Sequence, residues 1–165
     1  MSYKTILACL TNEEAAMRIM PAACLMARRY EAHLIGIHTL AAIVPYPGIA
    51  LHFDDPRFHA FNEQMQAQSD RVEKIFSEQA SGDGFVAEWH ALPARSTRAS
   101  DQHIKIALRS DLVIVARPDP EHDRFDQAGI QKDLIVESGR PVLVIPPEQG
   151  DNTIGTKILV AWNAT

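Results

Sequence analysis

The sequence predicts an α/β domain built on a twisted, five-stranded parallel sheet with helices on both faces. Two apolar, β-branched runs, Leu112 to Ala116 and Val142 to Ile145, flank an acidic loop and about one helix. A connection of this length suits parallel neighbours, and nearly continuous apolar runs are typical of strands covered on both faces. Three further strands alternate with helices earlier in the chain, so we expect right-handed crossovers throughout.

The first strand and helix are predicted near the N-terminus. Thr5 to Leu10 is a short apolar run, and Thr11 or Asn12 follows it as a residue that can cap a helix. Apolar or small residues then recur at helical spacing as far as Tyr30. Pro21 lies inside this pattern, where a proline removes one backbone hydrogen bond, so we expect a kink there.

The middle of the chain supplies two more strands and two more helices. The second strand is predicted at Ala32 to Leu40, and a proline-rich loop follows it. The next predicted element is a helix at Pro56 to Ala80. A third strand follows at Phe85 to Leu92 and is ended by Pro93, and a short helix is predicted at Thr97 to Arg109.

Composition excludes several classes of function. The chain has 165 residues and a formal net charge of −5, and it contains no local run of Lys or Arg, which disfavours nucleic-acid binding. No apolar run is long enough to predict a signal peptide or a membrane span, so we expect a cytoplasmic protein. Cys9 and Cys24 lack CxxC spacing and are predicted to be buried free thiols.

No metal site is predicted. The potential ligands His52, Asp54, Asp55 and His59 occur close together in the chain. Their spacing matches no established set of metal ligands, so a solvated loop that runs into a helix is the better interpretation.

The end of the chain predicts an internal repeat. Residues 1–147 form the predicted α/β domain, and residues 148–156 are polar and read as a linker. The run KILVAWN, Lys157 to Asn163, matches the character of TILACLT at Thr5 to Thr11 position by position. Residues 157–165 are therefore interpreted as the first strand of a truncated second repeat. The alternative is a sixth strand added to the sheet edge or to a partner.

Several ordered segments of the chain resemble the universal stress protein family. They are KTILACLTNEEAA, AHLIGIHTL, VAEWHAL, SDLVIVARPDP and ESGRPVLVIP, and TKILVAWNAT resembles the opening of the second domain in tandem members. The resemblance implies a Rossmann-like domain of the adenine-nucleotide-binding type. It also implies common dimerisation through the last strand and a role in stress survival rather than a known catalytic turnover.

The sequence departs from the family at the phosphate-binding turn. Many members bind ATP through a turn of the form G-x2-G-x9-G-[ST] after strand four and an Asp at the end of strand one. Here Thr11 occupies the matching strand-one position, Pro118 and Pro120 follow strand four, and the first later glycine is Gly129. Proline has no N–H to offer a phosphate, and the loop is acidic. We therefore expect no cofactor in this chain, although ATP is the family ligand.

A small ligand without phosphates remains an alternative. Its candidate contacts at the strand ends are Thr11, Asn12, Thr39 and Arg117. The guanidinium of Arg117 suits an anion, but the alternative of a surface Arg paired with acidic neighbours is preferred.

Catalysis is the least favoured hypothesis. The sequence contains no G-x-S-x-G, P-loop or HExxH motif. His90 and His103 are potential general bases, but neither has a nucleophile or an orienting carboxylate at a readable spacing.

Assembly is the favoured hypothesis. We predict a stress-response domain that is non-catalytic, has a degenerate nucleotide cleft and assembles with a partner. Val142 to Ile145 is an apolar edge strand without a blocking charge, so a homodimer is expected across it. Ile158 to Trp162 is a further expected contact. In a longer chain, a second tandem domain would cover this edge instead.

Overall fold

The computed structural model describes residues 2–41, 56–82, 84–93, 98–147, 154 and 159–160. Five strands and four α-helices alternate along this part of the chain. The strands are β1 (Thr5–Cys9), β2 (His33–Leu40), β3 (Ala87–Pro93), β4 (Leu112–Ala116) and β5 (Val142–Ile145). The helices are α1 (Glu13–Tyr30), α2 (Pro56–Ala80), α3 (Ser100–Ala107) and α4 (Ile130–Glu137), and a short 3₁₀ turn spans Phe125–Gln127.

All five strands form one parallel sheet in the order β3-β2-β1-β4-β5. The predicted fold class is therefore confirmed, and β4 and β5 have the predicted bounds. The chain builds outward from β1 to β3 and then returns to the other side of β1 with β4. This reversal of direction places a topological switch point between β1 and β4. Ligands of open α/β sheets bind beside such a point, at the carboxyl ends of the strands.

Two apolar layers cover the sheet. Alternate residues of β1, such as Ile6 and Ala8, pack under α1 and α2, while Leu7 and Cys9 pack on the opposite face with α3 and α4. Every β1 residue from Ile6 onward is buried, which explains why the strand lacks a polar alternation. The prediction of two buried free thiols is confirmed, because Cys9 and Cys24 are both buried and unpaired.

The predicted boundaries of β3 and α3 were wrong at both ends, and β3 begins at Ala87 and α3 ends at Ala107. Pro93 is the last residue of β3 and pairs in register with Leu40 rather than ending the strand before it. A proline is tolerated there because β3 is an edge strand, where a missing N–H need not break a ladder. The helix predicted to begin at Thr97 begins at Ser100, with Arg98 and Ala99 outside it, and Thr97 itself lies outside the described residues.

Helix α1 begins as the sequence predicts. Asn12 is its N-cap, and the side-chain Oδ1 accepts a hydrogen bond from the N–H of Ala15 at 2.8 Å. Glu13 and Glu14 occupy the first turn, where the helix dipole favours negative charge. The helix continues through Pro21, which is exposed. None of the described helices is long and apolar enough to cross a membrane.

The second repeat at residues 157–165 stays a prediction. Of the run Lys157 to Asn163, only Leu159 and Val160 are described, and both are exposed and lie outside the strands of the sheet. Within the predicted linker, Ile154 is partly buried against the layer formed by α1 and α2.

Candidate functional site

The switch-point cleft is filled by the loop that follows β4. Asp123 of this loop lies across the carboxyl end of β1, where its Oδ1 accepts hydrogen bonds from Thr11 Oγ1 at 3.2 Å and from Asn12 Nδ2 at 2.7 Å. Its other oxygen accepts the N–H of Asp119 at 2.7 Å, which closes the loop on itself. The carboxylate thus occupies the polar groups that a ligand at this position would use.

Gln127 and Arg124 attach the same loop to the ends of β1 and β2. Gln127 Nε2 donates to the carbonyl of Thr11 at 2.8 Å. Arg124 Nη2 donates to the carbonyl of Thr39 at 2.8 Å, and its Nη1 donates to Gln68 of α2 at 3.1 Å. These bonds satisfy carbonyl groups at the carboxyl ends of two neighbouring strands with protein donors. We call residues 117–128 the plug loop.

An ion pair anchors the plug loop to α1. Arg18 Nη2 lies 2.8 Å from Asp119 Oδ2, and His122 Nδ1 lies 3.1 Å from the same oxygen. The hydrogen bonds from Arg18 and then His122 lower the pKa of Asp119 to about 2. The carboxylate is therefore charged at neutral pH.

The space at the candidate site is divided: an open pocket of about 260 Å³ lies on the α1 side of the plug loop, with Asn12, Gln68 and His122 among its lining residues. A cavity of about 20 Å³ remains between the plug loop and the ends of β1 and β4, with Thr11, Ala116, Asp123 and Gln127 among its lining residues. This volume suits about one water molecule. A nucleotide-sized ligand requires a pocket of roughly 300 to 1,000 Å³. The plug loop would have to move before such a ligand could enter the cavity at the ends of β1 and β4.

The structure brings together three of the four predicted ligand contacts. Thr11, Asn12 and Thr39 all contact the plug loop, through Asp123 and Arg124. The hydroxyl of Thr39 is buried and has no hydrogen-bond partner among the described residues.

The fourth candidate, Arg117, is not part of this cluster. The backbone N–H of Arg117 donates a hydrogen bond to the carbonyl of Ile145, and Arg117 is exposed. Arg117 forms no ion pair with any residue that the structure describes, so the predicted pairing with its acidic neighbours is not seen there.

Sequence reasoning did not identify how Arg124 and Gln127 act. In the sequence, Arg124 is only one charge of an acidic loop, and Gln127 matches no motif. Their partners lie 85 and 116 positions away in the chain, so no local pattern reveals these contacts. The one signal in the sequence was the absence of the phosphate-binding glycines. It indicated that the phosphate of a nucleotide does not fill the cleft, but not which side chain does.

Of the two histidines considered as general bases, His103 lies in the core, whereas His90 has a carboxylate partner, Glu88, that the sequence did not predict. His103 is fully buried, its Nδ1 bonds to the carbonyl of Ala99, and burial lowers its pKa to about 4. His90 is partly exposed on β3 and lies 3.0 Å from Glu88. No group of His, Cys, Asp and Glu side chains suited to a metal ion occurs among the described residues. His59 is exposed, while His52, Asp54 and Asp55 lie outside those residues.

Comparisons with known proteins identify the fold. No protein-family model matches the sequence, and its comparison with curated proteins gave no match. Among solved structures, the chain is similar to the universal stress protein UspA from Lactobacillus plantarum, with a TM-score of 0.62 and 14% identity over 88% of this chain and 99% of that one.

Two further similar structures contain nucleotides. One is a universal stress protein family protein from Arabidopsis thaliana with AMP bound, with a TM-score of 0.57 and 12% identity over 93% of this chain and 97% of that one. The other is the universal stress protein from Archaeoglobus fulgidus in complex with dAMP, with a TM-score of 0.53 and 17% identity over 88% and 99%. The fold implied by the sequence resemblance is thus confirmed: the chain has the fold of the universal stress proteins.

Proposed function

We propose that this chain, which has the universal stress protein fold, is a non-catalytic stress-response domain that acts by assembly with a second copy or a tandem domain. In this proposal its nucleotide cleft is closed by its own plug loop. The supporting observation is that the carboxylate of Asp123 accepts hydrogen bonds from the side chains of Thr11 and Asn12, at the point where the sheet would otherwise bind a ligand. We further propose that the protein is cytoplasmic.

The chemistry of the plug loop argues against a phosphate at this position. Pro118 and Pro120 remove two backbone N–H groups from the turn after β4. The three donors that the structure gives to Asp123 are all neutral, so no cation offsets its carboxylate at these contacts. Phosphate oxygens brought to this carboxylate would be repelled.

The first prediction concerns nucleotide binding by the purified chain. Because the cleft is occupied, we expect ATP, ADP and AMP to give no saturable heat in isothermal titration at ligand concentrations up to the millimolar range. We also expect no phosphate release from ATP in a coupled assay. Clear micromolar binding at the cleft would reject the proposal.

Adenine-nucleotide binding is the second candidate function. It is favoured by the similar proteins from Arabidopsis thaliana and Archaeoglobus fulgidus, whose structures contain AMP and dAMP. In this case the plug loop would be displaced by the ligand, and the loss of its contacts would weaken the observed affinity. The candidate is tested by titrating AMP into a variant whose plug loop has lost Asp123.

The second prediction concerns the oligomeric state. Strand β5 is the last strand of the sheet on the side of β4, so one of its two backbone edges has no neighbour in the described sheet. Val142, Leu143 and Val144 are only partly buried. An apolar edge of this kind is a template for pairing, so we expect a homodimer in sedimentation at micromolar concentration.

A matched variant tests the edge itself. Replacing Val144 with lysine adds a charge to the outer strand, and charged side chains on edge strands oppose pairing. Because Val144 also packs partly on the core, circular dichroism must show that the variant is folded. The variant should sediment as a monomer. A wild-type chain that is already monomeric at high micromolar concentration would contradict the prediction.

A further inference from the structure

An open groove of about 610 Å³ lies beside α3, away from the cleft. Its lining residues are Ile35, His90, Lys105, Ile106, Leu108 and Arg109. None of them contacts the plug loop through a hydrogen bond or an ion pair. The groove is therefore a surface feature separate from the candidate site.

The groove exists because the second helical layer is short. Helices α3 and α4 have only eight residues each, and they pack on each other and on β1 and β5. On the other face of the sheet, Phe76 and Trp89 cover β2 and β3 with ring centroids 5.4 Å apart. On the α3 face, β3 has no fully buried residue, so the β2–β3 half of the sheet is left partly uncovered there by the described elements.

The surface of the groove is apolar and carries positive charge at one side. Ile35 and Ile106 are half-buried, and Leu108 is 52% exposed. Lys105 and Arg109 are four residues apart, which brings their side chains to the same side of the helical turn. Neither cation forms an ion pair with a described residue, although the chain carries a net charge of −5.

One carboxylate, Glu88, lies beside His90 of the groove lining and beside His33. Glu88 Oε1 is 3.0 Å from His90 Nε2, and its Oε2 is 3.3 Å from His33 Nε2. The acid lies on β3, whereas the two unpaired cations lie on or just after α3. The groove thus has an apolar surface with a cationic side that lacks its counter-ion.

We propose that the groove binds an amphipathic anion, namely an aliphatic chain that ends in a carboxylate. The chain would lie on Ile35, Ile106 and Leu108, where burial of apolar surface is favourable. The carboxylate would be held by Lys105 and Arg109, because a guanidinium can form two parallel hydrogen bonds with it. The groove volume falls in the range of small-molecule sites.

The test is isothermal titration of the wild-type chain with octanoate, 1-octanol and octyltrimethylammonium. These probes carry alkyl chains of nearly equal length and differ in the charge of the head group. We expect saturable binding of octanoate, and affinities at least about tenfold lower for the neutral and cationic probes, since charge-assisted bonds are lost. Absence of saturable octanoate binding, or equal affinity for 1-octanol, would overturn the proposal.

Two double variants with the same change in net charge separate local from long-range attraction. Lys105→Gln with Arg109→Gln should weaken octanoate binding by about tenfold or more. Lys74→Gln with Lys132→Gln removes two exposed cations elsewhere, on α2 and α4, and should change the affinity by less than about twofold. Equal weakening by both double variants would overturn the site.

A mapping experiment does not depend on any variant. Amide chemical shifts of the wild-type chain should change with octanoate at Ile35, His90 and Ile106 and not at Thr11 or Asn12. Leu108→Ser, at an exposed position, should weaken octanoate binding without unfolding the chain. Shift changes centred on the cleft would contradict the groove, whatever the nucleotide titrations show.

Discussion

The Asp123→Ala variant is expected to lose about 2 to 3 kcal/mol of unfolding free energy, measured by urea denaturation. The substitution removes three hydrogen bonds to one carboxylate and leaves the buried Asn12 amide without its acceptor at 2.7 Å. An unsatisfied buried donor costs more than the net contribution of an ordinary hydrogen bond. We also expect faster amide exchange in the plug loop than in β1 or β4.

Glu121→Ala is the matched control for this variant. Glu121 lies in the same loop and its residue is exposed, so the control removes the same charge from the same segment. Its unfolding free energy should change by less than about 0.5 kcal/mol. Equal losses in the two variants would show that Asp123 has no special part in closing the cleft.

The same Asp123→Ala chain distinguishes the two candidate functions. If the cleft is only blocked, AMP should bind the variant and not the wild-type chain. If the backbone no longer offers a phosphate site, as the two prolines indicate, AMP should bind neither. We expect the second result.

The Gly36→Ala variant is expected to lose about 2 kcal/mol of unfolding free energy. A Cβ atom at Gly36 would lie 2.6 Å from two ring carbons of Phe76 and 3.0 Å from Trp89. Phe76 is 3% exposed and packs on Trp89, so the ring has little room to move away. Thermal denaturation followed by circular dichroism measures the loss.

Two further variants establish the cause of that loss. Gly129→Ala places a Cβ 3.7 Å from Asp133 Oδ2, an ordinary contact, and should change stability by less than about 0.5 kcal/mol. Phe76→Leu should cost less in the Gly36→Ala background than in the wild-type chain, because the smaller side chain relieves the clash. Additive losses for Gly36→Ala and Phe76→Leu would contradict steric contact between these positions.

Local patterns in the sequence were sufficient for the sheet. The apolar runs at Leu112 and Val142 predicted β4 and β5 with their exact bounds, and Asn12 was one of two predicted caps for α1. These features depend on neighbours in the chain, namely strand length, helical spacing and one capping side chain. The parallel direction also followed from the sequence, since the connecting segment was too long for a hairpin.

Short helices and edge positions were predicted less well. Pro93 was expected to end β3 but belongs to it, because whether a proline is tolerated depends on the strand's place in the sheet. Two eight-residue helices leave part of one sheet face open, and their spacing alone did not reveal this. The groove beside α3 was therefore not predicted.

By itself, the sequence determined the fold class, the strand order along the chain and the loss of the phosphate-binding glycines. Only the tertiary structure decided what took their place. Asp123 accepts a hydrogen bond from Asn12, 111 positions away in the chain, and Arg124 donates one to Thr39, 85 positions away. Such contacts depend on which strand ends the sheet brings together. The alternation of residues along a strand is the same whether the cleft beside it is open or filled, so it cannot reveal these contacts.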